Sequence, residues 1–278
     1  MNLHFVFTCL LVSLLAACAI ADPAERKAGA DGIAAEARMT PLTLETPLLD
    51  LHARIRTAGK HGTLVVYIEG DGLAWKRTSE RSDDPTPLNP VALRLAAVDP
   101  SPAVAWLARP CQFTGGLTAR NCNSDLWTNA RYSETVIAAI GEALDQLRAE
   151  SGATKLALVG YSGGGTVAAL AAMRRTDIVW LKTVASPLDT EAFTSFHKVS
   201  PLEGSLNPAD DAASLTRLPQ IHDVGENDRI VPPEINRAAA AQFDAAGCAE
   251  LRVVTSAAHD DGWRDAWPAL LRETPACR

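Results

Sequence analysis

The stretch KLALVGYSGGGTVAALAAMRR, residues 155–175, decides how the rest of the chain is read. Four apolar residues, Leu156 to Val159, run into Gly-Tyr-Ser-Gly-Gly-Gly and then into an alanine-rich segment. An apolar run, a glycine turn and a helical run in that order describe a strand joined to a helix. A phosphate-binding loop, G-x-x-x-x-G-K-[ST], is excluded because Thr166 follows Gly165 where a lysine is required. The dinucleotide fingerprint G-x-G-x-x-G cannot be laid over Gly160 to Gly165 either. What fits is G-x-S-x-G, with Gly160, Ser162 and Gly164 in its fixed places. In that pattern the serine sits on a strained strand-to-helix turn, and small neighbours are a steric requirement.

Outward from this turn, strand and helix patterns alternate. Short apolar runs at 63–70, 103–109, 178–186, 220–225 and 250–256 read as further strands. SETVIAAIGEALDQLRAESG reads as a helix with Ser133 as N-cap and Gly152 as its stop, and Val136, Ile137, Ile140, Leu144 and Leu147 share one face. Helical stretches are also expected at about 163–173, 233–246 and 263–273. The fold class is therefore α/β, a mostly parallel central sheet with helices on both faces. Ligands of such sheets sit at the carboxyl ends of the strands, which is where Ser162 falls.

The chain has 278 residues, 47% of them hydrophobic and 21% charged, enough for one large domain. Its formal net charge of −7 argues against nucleic acid as a partner. The first 21 residues carry no Asp, Glu, Lys or Arg and contain an apolar run from Phe5 to Leu15, the pattern of an export signal. Leu15-Ala16-Ala17-Cys18 resembles a bacterial lipobox, in which Cys18 is acylated, and Ala19-Ile20-Ala21 is a competing site for ordinary cleavage. The organisation read from this is a lipobox-type signal over 1–18, a tether or loosely docked arm over 19–40, and one catalytic-type domain over 41–278. The expected location is the exported cell envelope, lipid-anchored or soluble in the periplasm, with the membrane touched only through that anchor.

Four cysteines remain in the mature body, and four allow three connectivities. Local pairing, Cys111 with Cys122 and Cys248 with Cys277, is preferred, and an oxidising compartment permits it. No pair has metal-ligand spacing, and no metal or other cofactor is expected.

Two further segments give the turn its chemical context. HDVGENDRIVPPE follows the strand at 220–225 and contains Gly225-x-x-Asp228-x-x-Val231-Pro232; SAAHDDGW follows the last strand and contains His259. Together with the serine turn, these motifs over about 60–275 resemble the α/β-hydrolases, in which nucleophile, acid and histidine occur in that chain order. The resemblance implies Ser162 as nucleophile, His259 as base and Asp228 as the acid that orients it. His197 is the rival base, and Asp189, one strand earlier, the rival acid. It further implies an oxyanion site from the backbone N–H groups of Gly163 and, in the loop YIEGDGLAW, of Asp71. The activity expected is hydrolysis of a small-molecule carboxylic ester through an acyl-enzyme, without cofactor. Thioesterase, amidase and acyltransferase chemistry share the same trio, and a catalytically silent envelope binding module is the reading from a different class.

The chain departs from the family at Glu69-Gly70, where members often carry His-Gly. A carboxylate roughly 5 Å from a developing oxyanion would cost about 3 kcal/mol at an effective dielectric near 20. The side chains of Glu69 and Asp71 must therefore point away, be paired with Arg109, Lys76 or Arg77, or form an acidic rim that selects cationic or polyol substrates. Residues 185–214 are expected to make a small cap in which Phe193 and Phe196 line the site, with Trp127 and Thr128 as further candidates.

Overall fold

The computed structural model describes residues 20–278, so the export signal, the Cys18 acylation site and Ala19 lie outside the described residues. The chain begins with helix α1 (Pro23–Glu36), then strands β1 (Thr40–Glu45), β2 (Asp50–Thr57) and β3 (Thr63–Ile68). A small hairpin, β4 (Trp75–Arg77) and β5 (Glu80–Arg81), precedes α2 (Val91–Val98) and β6 (Ala103–Leu107). Regular alternation follows: α3 (Glu134–Ser151), β7 (Lys155–Tyr161), α4 (Gly163–Ala172), β8 (Ile178–Val184), α5 (Thr190–His197), β9 (Gln220–Gly225), α6 (Pro233–Phe243), β10 (Ala249–Val254) and α7 (Trp263–Leu270).

Eight strands form one sheet in the order β1-β2-β6-β3-β7-β8-β9-β10. Strand β2 runs antiparallel to β1 and β6, and every other pairing is parallel. Alternate residues of each central strand feed opposite faces, as the pleat requires. Leu64, Val66 and Ile68 of β3 join the core beneath α3, α4 and α6, whereas Val65 and Tyr67 join the core beneath α1, α2 and α7. A fully buried Leu, Ile or Val contributes about 1.5–3 kcal/mol, so these two layers hold the sheet in place. Ser133 and Gly152 bound α3 as expected, the serine accepting from the Val136 amide and the glycine turning the chain out at φ 71°.

The connections after β3 and β7 leave toward opposite faces, since α2 belongs to one core and α4 to the other. This reversal opens a crevice at the carboxyl ends of the two central strands. Ser162 and the Glu69–Gly72 loop both end there.

The tether expected over 19–40 is corrected: the segment carries α1, closed by a reciprocal Asp22–Glu25 capping box. Ala30 and Ala34 are buried against α2, and the buried Arg26 guanidinium donates to the carbonyls of Asp84 and Thr86. Asp31 pairs with the buried Arg54 of β2. The structure joins Cys111 to Cys122 and Cys248 to Cys277.

Candidate active site

Ser162 has φ 49° and ψ −129°, a positive φ that only a tightly held turn imposes on a residue with a Cβ. Its amide donates to Val184 O at 2.8 Å and its carbonyl accepts from Gly165 N at 2.9 Å. The turn needs glycine on both sides. A Cβ on Gly160 would lie 2.3 Å from Gly164 O, and one on Gly164 would lie 2.3 Å from Ile68 O.

Ser162 Oγ lies 3.1 Å from His259 Nε2, and His259 Nδ1 lies 2.9 Å from Asp228 Oδ2. The other Asp228 oxygen accepts the amides of Ile230 and Val231, each at 2.8 Å, which fixes the carboxylate in direction. Burial pushes the Asp228 carboxyl up, but His259 and these two amides outweigh it and hold it below the usual range. The Trp263 indole N–H reaches the carbonyls of Ala258 and His259, at 2.7 and 2.9 Å, and anchors the histidine loop.

The rivals, His197 and Asp189, are occupied elsewhere, and so is His222. His197 Nε2 meets the Ile230 carbonyl at 2.7 Å. His222 is buried inside β9 against Thr183, and burial drives its pKa down to about 3. Asp189 caps α5, accepting from the amides of Glu191 and Ala192.

Neither Glu69 nor Asp71 forms an acidic rim, which corrects that alternative. The Glu69 carboxylate is buried and accepts from the amides of Gly70, Ala92 and Leu93 and from the Trp106 indole N–H. Ala92 and Leu93 lie in the first turn of α2, whose N-cap position is Pro90, so Glu69 supplies the acceptor that the proline cannot. Burial raises its pKa, and the four N–H groups offset part of that rise.

Asp71 is held by cations. Its Oδ1 accepts from Arg109 Nη1 at 2.9 Å, and its Oδ2 from Arg131 Nη1 at 2.8 Å and Tyr132 Oη at 3.2 Å. Burial pushes Asp71 up, yet Arg131 and Arg109 hold it below the usual carboxylate range. The carboxylate sits against the Gly163 Cα, where a Cβ would lie 2.0 Å from Oδ1. Among the described residues, the backbone amides of Gly163 and Asp71 meet no protein acceptor. Of the cations expected to offset the acids, Arg109 does so. Lys76 instead bonds Asp83 and Arg77 bonds Glu80. Arg131 and Tyr132 were not legible as site residues, because each meets Asp71 across about 60 residues of chain.

Two cavities meet at Ser162, both bordered by Asp71 and Gly72. One, of about 230 Å³, is lined by Leu88, Asn89, Tyr161, His259 and Asp260. The other, of about 300 Å³, is lined by Trp75, Arg131, Tyr132, Phe193 and Ile230. Phe193 thus borders the site, whereas Phe196 is an exposed side chain outside both cavities. Trp127 and Thr128 are buried and line neither, a correction to the expectation that they reach the site; the Trp127 indole is spent on Ser82 O.

No protein-family model matches the sequence, and no curated protein is detectably similar to it in sequence. Solved structures are similar in fold. An esterase of Pyrococcus furiosus superimposes with a TM-score of 0.59 at 15% identity, covering 84% of this chain and 90% of that one. An α/β serine hydrolase homologue from Coxiella burnetii gives 0.57 at 17%, covering 84% and 95%. A Xanthomonas campestris protein described as an α/β serine hydrolase without lid gives 0.55 at 16%, covering 85% and 97%. The chain has the α/β-hydrolase fold.

Proposed function

We propose that the chain is a serine hydrolase that cleaves a carboxylic ester through an acyl-enzyme. The observation that carries this reading is the continuous hydrogen-bonded line from Ser162 Oγ through the His259 imidazole to Asp228, on a serine held at positive φ. A serine hydroxyl is a weak nucleophile near neutral pH, so attack on a carbonyl carbon requires a base that takes its proton in the same step. His259 Nε2 accepts that proton and then gives it to the leaving alkoxide. Asp228 keeps Nδ1 protonated, so that Nε2 presents its lone pair to Ser162, and offsets the imidazolium charge. The free amides of Gly163 and Asp71 receive the oxyanion. Water, activated by the same imidazole, then releases the acid and restores the serine.

The pairing of Asp71 with Arg109 and Arg131, and the four N–H donors that hold the Glu69 carboxylate, support the reading, since both lessen the charge repulsion these positions would impose on an oxyanion. The two disulfides suit an oxidising compartment, which supports export of the chain with a lipid anchor at Cys18. A fluorophosphonate probe tests the chemistry. Ser162 loses its proton, displaces fluoride and becomes a phosphonyl serine in the wild-type protein, while Ser162→Ala stays unlabelled. A folded wild-type chain that refuses the probe is a binding module. A panel of matched esters, thioesters and amides then fixes the acyl class.

A further inference from the structure

We propose that Arg131 selects substrates bearing a carboxylate on an apolar arm. This inference rests on the ester-hydrolase reading and names the substrate class of that same site.

One carboxylate, Asp71, faces two guanidiniums, Arg109 and Arg131, and no second carboxylate pairs with either among the described residues. Those three side chains together carry one positive charge in excess, set among the Glu69, Asp228 and Asp260 carboxyl groups that also stand around Ser162. Arg109 cannot offer it to a ligand: only 4% of its side chain is exposed, and its two terminal nitrogens are spent on Asp71 and the Arg131 carbonyl. Arg131 can. Its Nη1 bonds Asp71 and its Nε bonds the Thr128 carbonyl, while Nη2 meets no protein acceptor yet is not among the buried atoms left without one. That nitrogen keeps some exposed surface on a side chain that is 15% exposed, and Arg131 lines the cavity it shares with Ser162.

The rest of that cavity is mostly apolar, with Trp75, Phe193, Ile230 and Val231 on its walls. It shares Trp75, Arg131 and Phe193 with an outer cavity of about 490 Å³, where the Arg81 guanidinium is committed to Asp125, Ser124 and Asn129. One guanidinium nitrogen without a protein acceptor, among aromatic and aliphatic walls, fits an apolar arm ending in a carboxylate. A charge-assisted hydrogen bond in a partly dry site outweighs an ordinary one. The opposite cavity has Asp260 on its wall and no guanidinium, whereas the outer cavity has Glu203 on its wall together with the Arg131 guanidinium. The carboxylate therefore belongs on the Arg131 side of the scissile bond.

The test compares matched esters on the full mature protein: mono-p-nitrophenyl adipate against p-nitrophenyl hexanoate for the acyl arm, and 4-acetoxybenzoate against phenyl acetate for the alcohol arm. Each kcat/KM is divided by the ester's own rate with hydroxide. Wild type is expected to favour the carboxylate member of one pair by roughly tenfold, the equivalent of one charge-assisted hydrogen bond. Arg131→Gln is expected to abolish that ratio and Arg131→Lys to restore part of it, with thermal melting used to establish that each variant is folded. A wild-type ratio of one or less in both pairs overturns the proposal without any variant, as does a ratio that survives Arg131→Gln. Fluorophosphonate labelling of Ser162 separates the two readings. A labelled enzyme that prefers neutral esters defeats only the role of Arg131, whereas an unlabelled one defeats the hydrolase reading beneath it.

Discussion

The loops that leave β8 and β9 each carry an aspartate, and the two do the same thing locally and different things globally. Asp189 and Asp228 each use Oδ1 to accept two successive backbone amides, Glu191 and Ala192 in one case, Ile230 and Val231 in the other. Both are turns that a short acidic side chain closes on its own backbone. They part company at the remaining capacity. Asp228 presents Oδ2 to His259, whereas Asp189 accepts a third donor, Asn207 Nδ2, on the oxygen it already uses. Sheet order explains the split. His259 follows β10, which pairs with β9, so Asp228 is one strand away and Asp189 is two. The Asp189 carboxylate is spent instead on the first turn of α5 and on Asn207. Local sequence makes the turn, and strand adjacency decides which turn serves the imidazole.

The largest effect that could break this comparison is on turnover. Asp228→Asn is expected to keep the fold and lower kcat by up to about 10⁴-fold, because the amide stabilises the wrong histidine tautomer. Asp189→Asn is expected to leave kcat near the wild-type value. Steady-state kinetics on the best ester of the panel decides it, and the reverse outcome would move the acid one strand earlier.

The same contrast shows what the sequence could and could not disclose. The meeting of Ser162, Asp228 and His259 was legible because each follows an apolar run, within four residues of a glycine or proline that marks a turn. The central strands were legible for the same reason. Strands β1 and β2 were missed, although Leu49, Leu51, Ala53 and Ile55 alternate with period two, a pattern that could have revealed β2. Helix α1 left little signal: it is rich in alanine and glycine, and its anchors, Arg26 and Asp31, find their partners on distant segments. Asp71 with Arg131 is of the same kind, a pair made across 60 residues that the topology of the sheet fixes and nothing beside it in the chain announces, whereas Arg109 was legible from its place at the end of a strand.

A smaller effect sharpens the comparison through pH. The Asp228 carboxyl lies below its ordinary range, because His259 and the Val231 and Ile230 amides outweigh burial. A group whose pKa is depressed on folding adds stability above its unfolded pKa, about 4 for aspartate, and loses it as pH falls through the folded value. The stability difference between wild type and Asp228→Asn is therefore expected to be greatest above about pH 5 and to shrink as the acid is titrated below about pH 4. Urea melts at a series of pH values measure it. A difference that stays constant down to about pH 2 would mean that the Asp228 charge does nothing for the fold.

The smallest effect belongs to Asp189, and it separates a cap from a catalytic acid. Helix α5 has eight residues, and its first turn depends on Asp189 for two amides and on Asn207 Oδ1, which accepts the Thr190 amide at 2.9 Å. Asparagine caps a helix about as well as aspartate, whereas alanine has no acceptor to offer and costs about 0.5–2 kcal/mol. Asp189→Ala is therefore expected to lower stability by that amount, while Asp189→Asn leaves it unchanged. The consequence for activity runs through Phe193, which stands on α5 and lines the cavity beside Ser162. Loosening the first turn of α5 loosens that wall without touching the line from Ser162 to Asp228. KM should rise in the alanine variant while kcat holds, because the lost contact serves ground state and transition state alike. A fall in kcat at unchanged KM would show that Asp189 acts on the imidazole after all, and the distinction between the two loops would fail.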